Sequence, residues 1–165
     1  MAEFVSEALV LSREPFREFD ARFSFFTKKS GKLIAKARSV RKVASKLSGH
    51  LQPGNFARLR VVEKNGPQIV DAIKYGTFSA RPDDLFLLGR ILSEGEADPG
   101  LWAELSSGKL RWRPILKILG WDPDLTTCVI CGSRDSFVFR TKEQDFLCKE
   151  CVLKFRGDEL LYILM

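Results

Sequence analysis

Two cysteine pairs, Cys128-Val-Ile-Cys131 and Cys148-Lys-Glu-Cys151, restrict this 165-residue chain more tightly than any other feature. Each has C-x2-C spacing, and sixteen residues separate them. A two-residue gap lets one tight turn aim two thiolates at a single ion, and two such turns complete a tetrahedron with Zn–S of about 2.3 Å. The intervening segment suits this, because Ser136 to Thr141 and Asp145 to Leu147 read as a hairpin joining the pairs, and Gly132 follows the first. The spacing predicts one structural Zn2+ held by Cys128, Cys131, Cys148 and Cys151. Four thiolates leave no open position for water, so a catalytic metal is not expected. A redox C-x-x-C needs only one pair.

The N-terminus lacks the basic start and apolar core of a secretory signal, and no window approaches the ~18 apolar residues of a membrane span. The chain is therefore expected in the cytoplasm, without a membrane partner, where disulfides are disfavoured. No catalytic constellation emerges either. The only histidine, His50, has no motif around it, and there is no Walker-type loop or dinucleotide fingerprint. Asp83-Asp84 and Asp122/Asp124 are accounted for by capping and solvation. The expectation is a protein that is not an enzyme.

The first half reads as strands: Val5 to Ser12, ended by Pro15, then Ala21 to Thr27, Leu33 to Val40, Asn55 to Val62 and Gln68 to Ile73. Lys28-Lys29-Ser30-Gly31-Lys32 supplies a hairpin turn and Asn65-Gly66-Pro67 another. Five short strands with one long connection before the fourth fit a small closed barrel of OB type. The pattern then turns helical, starting at Pro82-Asp83-Asp84, with a short turn at Leu101 to Leu105 and a helix at Trp112 to Leu119 stopped by Gly120. Trp102, Trp112 and Trp121 are expected to pack this block onto its neighbours. The predicted class is α+β: an OB-type barrel over 1–76, a small helical domain over 77–127, and a zinc ribbon-like element with an apolar tail over 128–165.

Charge is unevenly spread. Net charge is +6, yet Ala21 to Val62 holds eleven cations and no acid: Arg22, Lys28, Lys29, Lys32, Lys36, Arg38, Arg41, Lys42, Lys46, Arg58 and Arg60. Over the remainder acids outnumber bases. Such asymmetry predicts one polyanion-binding face, in which Lys and Arg neutralise phosphates. Single strands also need flat rings for stacking. Phe23 and Phe25 share one face of their strand and are expected in the core. Phe26 falls on the basic face and is the expected stacking ring, with His50 as a weak phosphate contact.

The order of these features resembles the family of the bacterial recombination mediator RecO. Glu7-Ala8-Leu9-Val10-Leu11, Phe26-Thr27-Lys28-Lys29-Ser30-Gly31-Lys32 and Ser45-Lys46-Leu47-Ser48-Gly49-His50-Leu51-Gln52-Pro53 carry the resemblance in the barrel. Leu116-Lys117-Ile118-Leu119-Gly120-Trp121-Asp122-Pro123-Asp124-Leu125, running into Cys128-x-x-Cys131-Gly132, carries it further on. The resemblance implies binding of single- and double-stranded DNA, strand annealing and recombinase loading. It also implies a RecR-like ring protein and single-strand-binding protein as partners, and a bacterial, nucleoid-associated location. The helical stretch from about Phe78 to Trp121 is much shorter than that family's helical domain, and the chain stops soon after the second cysteine pair. The other reading of a basic barrel with a zinc ribbon is an RNA-binding or ribosome-associated module.

Overall fold

The computed structural model describes residues 2–157 and 159–163, and the chain divides into two compact units, Met1–Lys109 and Leu110–Met165. The first is built on five strands: β1 (Glu3–Phe16), β2 (Asp20–Thr27), β3 (Gly31–Ala37), β4 (Asn55–Glu63) and β5 (Pro67–Thr77). They close into a barrel in the order β1-β2-β3-β5-β4, the connectivity of an OB-type barrel. Closure depends on β1. Its first half pairs with β4 from Glu3 to Leu9, its second half pairs with β2 from Ala8 to Phe16, and a register shift lies between Val10 and Ser12. A bulge bends a strand and increases its twist, which lets one long strand border two partners.

β1 is longer than the sequence suggests. Pro15 does not end it but pairs with Ala21 in the last rungs beside the turn. Proline lacks only the amide donor, and near a strand end that loss is tolerated. β5 likewise runs past Ile73 to Thr77.

Alternation decides what fills the barrel. Ala8 and Val10, Phe23 and Phe25, Ala35 and Ala37, Ala57, Leu59 and Val61, and Ile69 and Ala72 all point inward and are buried. Two stacked phenyl rings, Phe23 and Phe25 at 5.7 Å, take up the volume that many alanines leave. The segment between β3 and β4 closes one end with Val40 and Leu51, both fully buried, and Leu47.

The outer face of β1, β2 and β4 carries a second apolar row. Phe26 lies opposite Leu9, and Leu9 opposite Phe56. Helices α1 (Pro82–Ile91) and α2 (Pro99–Leu105) belong to the same unit and bury Leu85, Leu88, Leu101, Trp102 and Leu105. Asp98 caps α2 by accepting the Leu101 N–H at 2.8 Å. Trp102 lies against both Phe26 and Phe56.

In the second unit α3 (Trp112–Ile118) ends at Gly120, whose φ of 94° takes the left-handed conformation that stops a helix. A small sheet follows in the order β7-β6-β8, from β6 (Val138–Arg140), β7 (Asp145–Leu147) and β8 (Leu160–Tyr162). β8 is the apolar tail, paired with β6; Leu164 and Met165 lie outside the described residues. Trp121 packs on Phe139 with centroids 5.1 Å apart. Among the described residues no helix is long and apolar enough to cross a membrane.

Candidate nucleic-acid interface and metal centre

β6 and β7 bring the two cysteine pairs together. The sulfurs of Cys128, Cys131, Cys148 and Cys151 all lie within 4.8 Å of one another. Cys131 Sγ and Cys148 Sγ are 3.7 Å apart, far longer than a disulfide, and all four cysteines are free. A tetrahedral thiolate site with bonds of about 2.3 Å has S···S edges of about 3.8 Å, so the sulfurs fit one metal ion. The first turn is closed by the Gly132 N–H donating to Cys128 O at 2.8 Å, with Gly132 at a φ of 75°. Burial raises the Cys128 thiol. Backbone hydrogen bonds from Cys131, Cys148 and Ile130, joined by the Cys131 thiol, outweigh that and bring it down to about 6. Cys128 thus ionises more readily than Cys151, which burial and the neighbouring thiols push up to about 12. Cys128, Cys148 and Cys151 are buried and Cys131 is exposed. Arg140 braces the hairpin with Nε and Nη2 on Asp145 at 2.6 and 2.5 Å, and its guanidinium lies 5.0 Å from the Phe155 ring.

The cations of the acid-free stretch do not form one cluster. Arg22 and Lys36 face each other across β2 and β3, and both lie over the Phe16 ring, at 5.0 and 5.1 Å. Arg17 joins them at 5.4 Å. Beside this ring is a cleft of about 240 Å³ lined by Phe16, Arg17, Asp20, Lys36, Arg38, Asn65 and Gln68. Three backbone positions around it adopt positive φ without glycine: Arg17 at 57°, Ser39 at 51° and Asn65 at 52°. Such conformations cost about 1–3 kcal/mol each and persist where surrounding structure enforces them. Asp20, the one acid lining the cleft among the described residues, accepts the Ser39 N–H at 2.8 Å and so holds that turn.

Arg41, Lys42 and Lys46 are exposed on the connection that follows β3. Arg41 Nη1 donates to the carbonyl oxygens of Arg17 and Glu18, and Lys42 Nζ lies 5.2 Å from the exposed Phe19 ring.

The remaining cations sit elsewhere. Lys28, Lys29 and Lys32 belong to the hairpin at the far end of β2, about 20 Å along the strand from Arg22. Lys28 pairs with Glu7 at 2.9 Å, and Lys32 Nζ reaches the Leu92 carbonyl at 3.4 Å. On β4, Arg60 pairs with Glu3 at 3.3 Å, while Arg58 lies opposite Glu7. Counter-charges absent from the linear stretch thus arrive from β1. His50 is half-buried, and its Nδ1 accepts the Lys74 N–H at 3.1 Å.

One expectation is corrected here. Phe26 is only 2% exposed and packs 6.2 Å from Trp102, so it offers no face to a base. The rings beside the cations are instead Phe16 and Phe19, the latter 43% exposed. Arg17, Phe16 and Phe19 lie just before the acid-free stretch, and two aromatic rings flanking an arginine in Phe16-Arg17-Glu18-Phe19 are the signal the sequence offers.

Comparison with known proteins agrees with this layout. The family model for the recombination protein O N terminal matches residues 1–74, and that for the recombination protein O C terminal matches residues 114–161. The DNA repair protein RecO of Syntrophomonas wolfei is 28% identical over 178 residues, covering 92% of this chain and 71% of its own. Its counterpart in Alkaliphilus metalliredigens is 26% identical over 176 residues, covering 88% and 71%. That of Desulforudis audaxviator is 28% identical over 160 residues, covering 81% and 64%. The two models together match more than half of the sequence, one on the barrel and the other on the four-cysteine unit, and the chain belongs to the RecO family.

Proposed function

We propose that this chain is a DNA-binding mediator of recombinational repair that grips the phosphate backbone at the cleft beside Phe16, where the β1–β2 turn meets the end of β3. Family membership supports a role in DNA repair and recombination. The observation that carries the binding reading is the convergence of Arg17, Arg22 and Lys36 on Phe16 beside a cleft that Arg38 also lines. The cleft is bordered by the β1–β2 and β4–β5 turns and the end of β3, the region OB barrels use for oligonucleotides. Cations there neutralise phosphates, and an aromatic ring among them can receive a base. Binding of both single- and double-stranded DNA, strand annealing, recombinase loading, and contact with a RecR-like ring protein and single-strand-binding protein are parts of the proposal that rest on the family. Zinc is the ion proposed for the four thiolates, because a closed tetrathiolate set is its usual structural site.

The test is binding of a labelled single strand across a salt series by R22E/K36E/R38E, with K28E/R60E as the control in which the cations are already ion-paired. Losing three phosphate contacts lowers the slope of log K against log salt by about 2, whereas the control moves it much less. An unchanged slope in the triple variant would place the binding face elsewhere, and a preference for RNA of equal length would point to a ribosome-associated role.

A further inference from the structure

Nothing in the fold accounts for Val43. The residue is fully exposed, at 108%, and none of the described residues covers it. Single exposed apolar residues are ordinary on protein surfaces. This one differs in how firmly it is presented and in what surrounds it.

Val40, three residues earlier, is fully buried in the barrel core, and Leu47, four residues later, packs against the same core. Between these anchors the chain makes two consecutive turns, with Lys42 N–H on Ser39 O at 3.2 Å and Ser45 N–H on Lys42 O at 3.0 Å. The near side is clamped to the β1–β2 turn, where the Arg41 N–H donates to Phe19 O at 2.9 Å and its guanidinium holds the two preceding carbonyls. Turns of this kind favour Gly, Asn, Asp, Ser and Pro, so local propensity does not call for a β-branched residue there. Arg41, Lys42 and Lys46 flank the tip, all exposed, and Phe19 lies under the Lys42 amine.

We infer that the 41–46 tip is a base-unstacking wedge. Lys42 and Lys46 seat on phosphates, and Val43, with Phe19 beside the loop's base, enters between neighbouring bases of a duplex. This rests on the DNA-binding reading above and extends it to a distortion of the bound nucleic acid. Apolar side chains inserted at a base step unstack it, and the flanking cations hold the backbone while they do so. A membrane-inserting loop would share the basic rim, but a single valine buries little area in a bilayer, and the tip continues the cationic face that begins at Arg38.

The experiment uses a DNA duplex with 2-aminopurine at an internal step, whose fluorescence rises when the base unstacks. With the wild-type protein at saturation the signal is expected to rise severalfold, and V43S at saturation loses most of that rise, with V43L retaining it. Duplex binding without any rise, or a full rise with V43S, overturns the wedge and leaves DNA binding standing. Absence of duplex binding overturns the wedge and the double-strand part of the DNA-binding reading, and loss of single-strand binding as well overturns that reading whole. If V43S weakens binding to phosphatidylserine vesicles and leaves the fluorescence rise intact, the tip serves a membrane surface and the wedge is likewise overturned.

Discussion

Trp102 stands edge-on to Phe56, with ring centroids 6.0 Å apart and planes at 83°, and the same indole packs 6.2 Å from Phe26. A residue of α2 therefore covers the apolar row that β1, β2 and β4 present outward. Phe26→Ala removes a buried ring, and substitutions of this kind cost about 3–5 kcal/mol. The expected result is a large drop in the urea midpoint, with single-strand affinity unchanged at a temperature where the variant is folded. If affinity falls while the midpoint holds, Phe26 is a stacking ring after all.

Gly31 starts β3 at a φ of 64°, and a Cβ there would lie 1.8 Å from the carbonyl oxygen of Glu96. The Glu94–Glu96 segment runs beside Lys32, with Gly95 N–H donating to Lys32 O at 3.0 Å. Gly31→Ala must displace backbone as well as adopt a left-handed conformation. Gly66, at a φ of 93°, would meet no atom within 4 Å. Gly66→Ala should thus show only the conformational cost of about 1–2 kcal/mol, and Gly31→Ala clearly more. Chemical denaturation of the two variants side by side checks this, and equal losses would count against the close approach of Glu96.

Phe26 and Trp102 also show which parts of the fold are legible in the chain. Period-two alternation and cysteine spacing are both local, so the first places Phe23 and Phe25 in the barrel core and the second places Cys-x2-Cys in tight turns without tertiary knowledge. The burial of Phe26 is not local, because its cover, Trp102, is contributed from α2. The same holds for charge. A stretch without acids reads as one basic face, yet Glu7 and Glu3 of β1 reach Lys28 and Arg60 through sheet pairing. Phe16 and Arg17 are not legible as site residues because Pro15 reads as a strand end, whereas β1 continues through it to the cleft.

Cys148 Sγ accepts the Cys151 N–H at 3.4 Å and lies among the three other sulfurs. Its loss leaves three thiolates that cannot close a tetrahedron. Cys148→Ser, or a chelator in excess over the native protein, should release one zinc ion per chain by elemental analysis and open 128–151 to protease. The barrel of residues 3–77 has its own core, so its amides should keep their hydrogen-exchange protection. A Cys148→Ser protein that stays protease-resistant without metal would show that the hairpin folds independently of the ion.

Arg41 Nη1 bonds the carbonyl oxygens of Arg17 and Glu18 at 3.2 and 3.1 Å, while its own N–H bonds Phe19 O. Three successive carbonyls of one turn are thus held by one residue of another. Hydrogen bonds from a charged donor contribute about 1.5–3 kcal/mol when well made, less at an exposed site such as this. Arg41→Ala should leave the global unfolding midpoint almost unmoved, since Val40 and Leu47 still anchor the loop. Hydrogen exchange of residues 17–19 and 39–45 should accelerate severalfold. Arg41→Lys keeps the charge but not the planar fork, so it should exchange nearly as fast as Arg41→Ala even though its electrostatic attraction to DNA is retained. Equal protection in Arg41→Lys and the wild type would mean that charge alone holds the turn, and that the rigidity of the Val43 tip comes from its core anchors alone.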